Sequence, residues 1–523
     1  MGAGDPFRDD RSFVESLSRL ARANPFLPER IELERRILGP DFENVRPVWS
    51  KRLDAANPNV AKIASRAEAA AKRIGRELGM AGSSLSEEDE RLYGELVFYV
   101  LYYRFEEDFG RAMGEPAVGF FDAFCREALS LQPPLAGSAR TDAELLHWFS
   151  FSFQIRRASH HIFEFIVGSS LPAARLRAAI WQSIFTHDLR RYRRTLYHKM
   201  GDHSTLVTGA SGTGKELVAR AIALSRYLPF QPRSGRFALD LREAFYPLNL
   251  SALAPTLIES ELFGHRRGAF TGALADRKGF FAICPPLGTV FLDEIGELDP
   301  AIQVKLLRVL QTREFQSLGE TRNQRFEGKI VAATHRDLAS EMREGRFRED
   351  LYYRLCSDLI RTPTLREQLA DAPSDLEDLV RFVARRLVGP DESETVTAEV
   401  VHWIEGKLGP EYGWPGNFRE LEQCARNVLV RKEYRPTSRT PDSPWLVDLR
   451  EGALTAEELL EAYCAHVYQG SRSYVETARR LGLDRRTVKS KVLAYRKRTR
   501  APAARAQGAQ ARERGASAHE ESS

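Results

Sequence analysis

The octet Gly209-Ala210-Ser211-Gly212-Thr213-Gly214-Lys215-Glu216 places three glycines and a lysine where a phosphate chain could be gripped. Gly209, Gly212 and Gly214 let successive backbone N–H groups turn toward an anion with no Cβ in the way, and Lys215 can reach β and γ phosphates. Downstream, Gly288-Thr289-Val290-Phe291-Leu292-Asp293-Glu294 ends an apolar run in two adjacent carboxylates. At the end of a strand, Asp293 can hold Mg²⁺ while Glu294 polarises an attacking water. An acidic pair alone is usually just solvated; joined to the upstream loop it points to Mg²⁺-dependent ATP hydrolysis. A standard phosphate loop continues into Ser or Thr as a metal ligand, whereas Glu216 stands here and shifts that duty toward Asp293 and water. Between the two halves lies Gly268-Ala269-Phe270-Thr271-Gly272-Ala273, an aromatic flanked by glycines that make it mobile.

These groups need elements to position them. Residues 204–208 form a short apolar run entering the glycine loop, and 216–224 carry a helical pattern, giving the strand, loop and helix order that phosphate binding requires. Residues 289–292 and 329–333 are further strand candidates alternating with helices, which predicts a parallel sheet covered on both faces. The first 180 residues read as mostly helical, with apolar residues at three and four spacing over 31–38 and 61–72 and breaks at Pro133-Pro134 and 168–172. Residues 431–444 have the composition of a linker. A helix-turn-helix follows: residues 475–481 form one helix, Gly482 permits the turn, and Asp484 caps a second helix with an apolar stripe at Val488, Val492 and Tyr495. Its other face carries Arg485, Arg486, Lys489, Lys491 and Arg496; Arg485, Arg486 and Lys489 lie early, where base edges are usually reached, and Thr487 joins the DNA-facing set. Residues 501–523 are low-complexity and expected to stay unfolded.

With 523 residues and 43% apolar side chains, the chain can build more than one core, which excludes a disordered protein. The net charge of +5 says little, but residues 471–505 hold 12 Lys or Arg against 2 Asp or Glu, which points to a polyanion. The five cysteines show no CxxC pair, which argues for a reducing compartment and against structural zinc. No apolar run approaches the roughly 18 residues of a membrane span, so a cytoplasmic protein without a membrane partner is expected.

The run 259–273, Glu-Ser-Glu-Leu-Phe-Gly-His-Arg-Arg-Gly-Ala-Phe-Thr-Gly-Ala, resembles the surface loop of bacterial enhancer-binding proteins, the AAA+ activators of sigma-54 RNA polymerase. Residues 333–338, 345–355 and 414–421 carry further motifs of that family in the same order, and Glu216 is common in it. The resemblance implies a multidomain fold: a helical regulatory domain over 1–180, an AAA+ α/β ATPase subdomain over 181–365, and a helical lid over 366–432. A linker over 433–455, a Fis-type helix-turn-helix over 456–500 and a disordered basic tail over 501–523 complete it. It further implies ATP and Mg²⁺ as ligands, Arg348 and Arg354 as fingers reaching a neighbour's γ phosphate, and Arg419 as the lid's second-sensor arginine. Thr334 and His335 fall at the first sensor, where Thr-Asn is usual, and Asn249 matches an asparagine that holds the catalytic glutamate. The expected partners are the sigma-54 holoenzyme, gripped by Phe270, an upstream double-stranded DNA site, and copies of the chain in a ring, a hexamer. The alternative is a DNA-binding repressor whose nucleotide-sensing domain does not remodel polymerase. For residues 1–180, the absence of strand and helix alternation argues against a phosphoaccepting receiver. The aromatic stretch 92–121 and His160-His161 read as ordinary helical core, with a ligand cavity or metal site as the alternative.

Overall fold

The structure is a computed structural model that describes residues 7–44, 57–81, 86–115, 117–131, 141–240, 242–436, 445, 449, 454–471, 473–495 and 498. Pro133-Pro134, most of the expected linker, Arg496 and the tail 501–523 lie outside the described residues. The chain divides into two compact units, Met1–Tyr434 and Arg435–Ser523.

The first unit opens with helices α1 (Arg11–Arg22), α2 (Pro28–Leu38), α3 (Pro58–Ala81), α4 (Glu87–Arg104), α5 (Glu106–Ala112), α6 (Phe121–Ser130), α7 (Asp142–Phe165) and α8 (Leu171–Phe185). Their starts are written locally. Ser86 caps α4 ahead of four acidic residues in its first turn, Thr141 and Glu144 close a capping box on α7, and Ser170 caps α8. α3 to α7 bury an aromatic core that includes Phe109, Phe124 and Phe149, each such side chain contributing about 1.5–3 kcal/mol by burial.

The sheet comprises β1 (Thr205–Thr208), β2 (Phe245–Asn249), β3 (Thr289–Asp293), β4 (Lys329–Thr334) and β5 (Leu359–Arg361), all parallel, in the order β2-β3-β4-β1-β5. Side chains alternate between its faces, as strand geometry requires. Leu206, Val290, Leu292, Ile330 and Ala332 pack with α10 (Pro255–Phe263), α11 (Pro300–Thr312) and α13 (Glu349–Leu355). Val207, Phe291, Val331, Ala333 and Ile360 face the phosphate-loop helix α9 (Lys215–Ala223) together with Ala158 and Ile162 of α7 and Ile180 and Ile184 of α8. The amino-terminal helices therefore share a hydrophobic core with the sheet. A hairpin after α9, Phe230–Gln231 with Arg236–Phe237, also inserts into the aromatic core: Phe237 stacks on Phe153 at 3.9 Å, and Phe230 packs on Phe149 at 4.8 Å.

Beyond the short α12 (Leu338–Arg343) and β5 come α14 (Leu365–Asp371), α15 (Asp375–Lys407, broken at Gly389-Pro390) and α16 (Asn417–Arg431). They close around Leu379, Val380, Val400, Leu421 and Trp414. Asp375 at the start of α15 accepts hydrogen bonds from the Ser169 N–H (2.7 Å), the Ser169 hydroxyl (2.6 Å) and the Ser170 N–H (2.9 Å), tying this helical part to the start of α8.

In the second unit, α17 (Ala456–Ser471), α18 (Tyr474–Leu481) and α19 (485–495) pack around Cys464, Ala478, Val488 and Val492. Gly482 makes the turn at φ 65°, a backbone region glycine enters without strain. Among the described residues no helix is long and apolar enough to cross a membrane.

Candidate nucleotide site and its surface loop

The phosphate loop joins the carboxyl end of β1 to α9, with Gly209, Gly212 and Gly214 at φ 153°, 77° and 85°. Steric demand reinforces the conformational one: a Cβ on Gly209 would lie 2.0 Å from Thr362 Oγ1, and one on Gly212 would lie 2.3 Å from the Gly416 carbonyl oxygen. Lys215 folds over the loop, its Nζ donating to the carbonyls of Gly209 (3.0 Å) and Ala210 (3.3 Å). Burial lowers its pKa against the opposing pull of Glu294 and Asp293. Glu216 is occupied by Arg220 one turn on, at 2.9 Å.

Asp293 ends β3, where burial, followed by the neighbouring Glu294, raises its carboxyl pKa. Glu294 adopts φ 57°, ψ 50°, a left-handed conformation costly for a residue with a Cβ. His335 holds it there: its N–H reaches Glu294 Oε2 at 3.2 Å and its Nδ1 the same oxygen at 2.7 Å, so Nδ1 carries the proton when Glu294 is ionised. Asn249 lies opposite Asp293 in the strand register, but its Oδ1 accepts from the N–H and hydroxyl of Ser251, at 3.0 and 2.7 Å. The glutamate is thus held by His335, while the asparagine caps a short 3₁₀ turn. Thr334 is buried and accepts the Arg336 N–H at 3.1 Å.

The lid closes over this loop. Arg419 Nη1 donates to Ser211 Oγ at 3.0 Å, Asn417 Nδ2 to the Ser211 carbonyl at 3.0 Å, and the Phe418 N–H to the Gly212 carbonyl at 2.9 Å. Sequence reasoning found Arg419 and missed Asn417, although both stand in the same motif. It also missed Thr362, whose hydroxyl pairs with that of Thr213 at 2.7 Å and which no local pattern marks. Arg348 and Arg354 are exposed on and beside α13; Arg348 is engaged by Asp350 at 2.7 Å. The charges acting on Lys215 are Glu294, Asp293 and Arg419, and neither of these arginines is among them.

The glycine-flanked hexapeptide closes on itself, with the Gly268 N–H donating to Ala273 O (2.9 Å) and the Ala273 N–H to Phe270 O (3.0 Å). Its glycines take φ 81° and 102°, and a Cβ on either would meet nothing within 4 Å. Ala269 and Thr271 complete the loop, whose base is fixed by Arg266 between Asp276 (2.7 Å) and Glu320 (2.6 Å). Phe270 rests edge-on against His265 at 4.9 Å and stays 37% exposed, while Leu274 next to the hexapeptide is 86% exposed. Leu274 was not singled out in the sequence because it lies outside the glycine frame.

Residues 185–360 match the family described as the Sigma-54 interaction domain. This segment is therefore similar to sigma-54 interaction domains. The chain is 47% identical over 230 residues to a Nif-specific regulatory protein of Azotobacter vinelandii, covering 44% of this chain and 40% of that one. It is 38% identical over 304 residues to the transcriptional regulatory protein ZraR of Klebsiella oxytoca, covering 56% and 63%. A hydrogenase transcriptional regulatory protein, HoxA, of Bradyrhizobium diazoefficiens is 45% identical over 229 residues, covering 44% and 43%. The chain thus spans roughly half the length of these relatives.

Outside the matched segment, α19 displays Arg485, Arg486, Thr487 and Lys489 to solvent. Asp484 Oδ1 accepts the N–H groups of Arg486 (2.6 Å) and Thr487 (3.4 Å), fixing the helix start. Lys491 turns back to Glu457 on α17 at 2.6 Å, so four of the five expected DNA-facing side chains stand free of the module's own packing. On α7, His160, His161 and Glu164 bring three possible ligand atoms within 4.8 Å of one another, all from one stretch of helix.

Proposed function

We propose that this protein is a DNA-bound activator that hydrolyses ATP in an oligomeric ring, a hexamer, and uses the cycle to remodel the closed complex of sigma-54 RNA polymerase holoenzyme. The loop N–H groups and Lys215 bind the triphosphate. Asp293, at the strand end with Glu216 already engaged by Arg220, has the donor chemistry for Mg²⁺ together with water. Bound Mg²⁺ would neutralise charge on the β and γ phosphates. Glu294 takes the proton of the attacking water, oriented by His335, and Arg419 carries the lid's response to the nucleotide. Arg348 and Arg354 act on a neighbour's site. Exposed Arg485, Arg486, Thr487 and Lys489 bind double-stranded DNA upstream of the promoter.

The observation that most supports this reading is the exposure of Phe270 and Leu274 on a glycine-hinged loop borne by the same subdomain as the nucleotide site. Apolar side chains held in water are suited to a partner contact. The test is open-complex formation by sigma-54 polymerase on DNA carrying an upstream binding site, with ATP or a non-hydrolysable analogue. Open complexes should form only with ATP, and Phe270→Ala should abolish them while ATP hydrolysis stays within about twofold of wild type. Open complexes formed by Phe270→Ala, or with the analogue, would overturn the reading.

A further inference from the structure

Between α1, α2, α4 and α7 the structure encloses a cavity of ≈ 510 Å³, within the range that holds small organic ligands. Its walls are aromatic and apolar, with Phe26, Phe98, Phe151, Phe163, Trp181 and Ile155 among them. Charge enters it unevenly. Arg22, Arg30, Arg156, Arg190 and Arg193 line it against Glu95, Glu106 and Glu107.

Partner accounting sharpens the imbalance. Arg30 is paired with Glu34 at 2.9 Å, and Arg190 with Glu95 at 2.7 Å. Glu95 also accepts from the Ser18 hydroxyl at 2.5 Å and lies 3.4 Å from Arg91, so its oxygens are already engaged. Among the described residues Arg22 makes hydrogen bonds only to the carbonyl and hydroxyl of Ser18, at 2.9 and 3.4 Å. Arg193 rests its guanidinium on the rings of Phe98 (4.8 Å) and Trp148 (5.4 Å). Among the described residues neither Arg22 nor Arg193 has an ion-pair partner. Arg156 stands 3.8 Å from Glu106, and its buried Nε has no hydrogen-bond partner. Burial lowers the pKa of Arg193, the direction expected of a cation held out of water without a counter-ion, and burial together with the neighbouring Arg190 charge lowers that of Arg22, whose side chain stays exposed. An anion delivered into the cavity would relieve that penalty through charge-assisted hydrogen bonds.

We propose that this cavity binds a small apolar carboxylic acid, its hydrocarbon or aromatic body against the ring-lined wall and its carboxylate among Arg22, Arg190 and Arg193. The site is placed to report on the nucleotide. α7 turns Phe151, Ile155 and Arg156 to the cavity, while Gln154 donates to the Ser225 carbonyl at 3.0 Å and Arg157 to that of Arg226, the residues just beyond α9. The binding claim does not rest on the sigma-54 reading, because a titration reads it without polymerase or DNA.

The experiment is isothermal titration calorimetry of the full-length protein with 1-naphthoate, decanoate and the uncharged 1-naphthalenemethanol. At least one of the acids should bind saturably at one site per chain, and naphthoate at least about tenfold more tightly than its neutral counterpart. A preference for naphthoate or for decanoate then distinguishes a planar from a chain-like natural ligand. Ile155→Trp, which fills the cavity, and Arg193→Met, which keeps the stem over Phe98 but removes the charge, should each weaken the acid at least about tenfold. Undiminished binding of a fluorescent ATP analogue certifies that each variant is folded. Absence of saturable binding by both acids, equal affinity for the neutral compound, or acid binding unchanged in both folded variants would overturn the proposal.

Discussion

At the level of single residues, Glu294 pairs an unfavourable backbone with a specific restraint. Its left-handed φ of 57° carries a cost of about 1–3 kcal/mol, and the two hydrogen bonds from His335 converge on the oxygen that such a turn exposes. Glu294→Gln should therefore retain ATP affinity and lose hydrolysis by about 10²–10⁴-fold, measured by nucleotide titration and steady-state phosphate release. His335→Ala should lower kcat with little change in KM, since the carboxylate survives but loses its orientation, whereas His335→Asn should recover most of the rate through its amide donor. Equal defects in the Ala and Asn variants would show that the imidazole does more than orient. The phosphate loop, Asp293 and Glu294 were legible in the sequence because each depends on its neighbours in the chain. The partner of Glu294 was not: Asn249 and His335 come from different strands, and a sequence motif names a side chain without fixing which of two nearby acceptors it takes.

Among the elements, β4 is wholly buried, and it begins with Lys329, whose Nζ donates to the His203 carbonyl at 2.8 Å. Burial, partly opposed by Asp358 and reinforced by Arg226 and Arg313, lowers its pKa from 10.5 to about 7. The unfolded chain keeps this proton up to about pH 10.5 while the folded one releases it near 7, so the unfolded state binds more protons in between and stability rises with pH across that window. Denaturation midpoints measured at pH 7, 8 and 9 should climb in the wild type, by up to ~1.4 kcal/mol per pH unit from this group. Lys329→Met should flatten the climb. An unchanged slope in that variant would assign the dependence elsewhere. β1, β3, β4 and α9 were legible from apolar runs and helical spacing. β2 and β5 were not, because Pro247 interrupts the first, which the sheet tolerates at its edge, and the second has three residues. The sharing of a core between α7, α8 and the sheet also escaped the sequence. Phe149 and Phe153 lie on one side of α7 and Phe151 on the other, a pattern that marks a helix buried all round without saying what covers it.

For the molecule as a whole, the decisive feature is what one copy of the nucleotide-site subdomain leaves unused. Arg348 and Arg354 are exposed and absent from the charges that act on Lys215, so a chain by itself presents its phosphate loop at one place and the arginines proposed to act on a neighbour at another. Two different patches that complement each other form a heterologous contact, which closes into a ring where its rotation allows, as the proposed hexamer requires. ATP hydrolysis should accordingly rise more steeply than linearly with protein concentration and reach a constant specific rate once the ring is full. Subunit mixing separates this from simple stabilisation of each chain. Lys215→Ala removes a chain's own phosphate grip, and Arg354→Ala removes what it lends to a neighbour, so each variant alone should be inactive. In an equimolar mixture, a site formed by the intact loop of an Arg354→Ala chain beside the intact Arg354 of a Lys215→Ala chain is complete. If chains assort at random, about a quarter of the sites meet that condition, and phosphate release should recover to about a quarter of the wild-type rate. A mixture as inactive as its parts would place Arg354 in service of its own chain, and the exposed arginines of α13 would then need a different explanation.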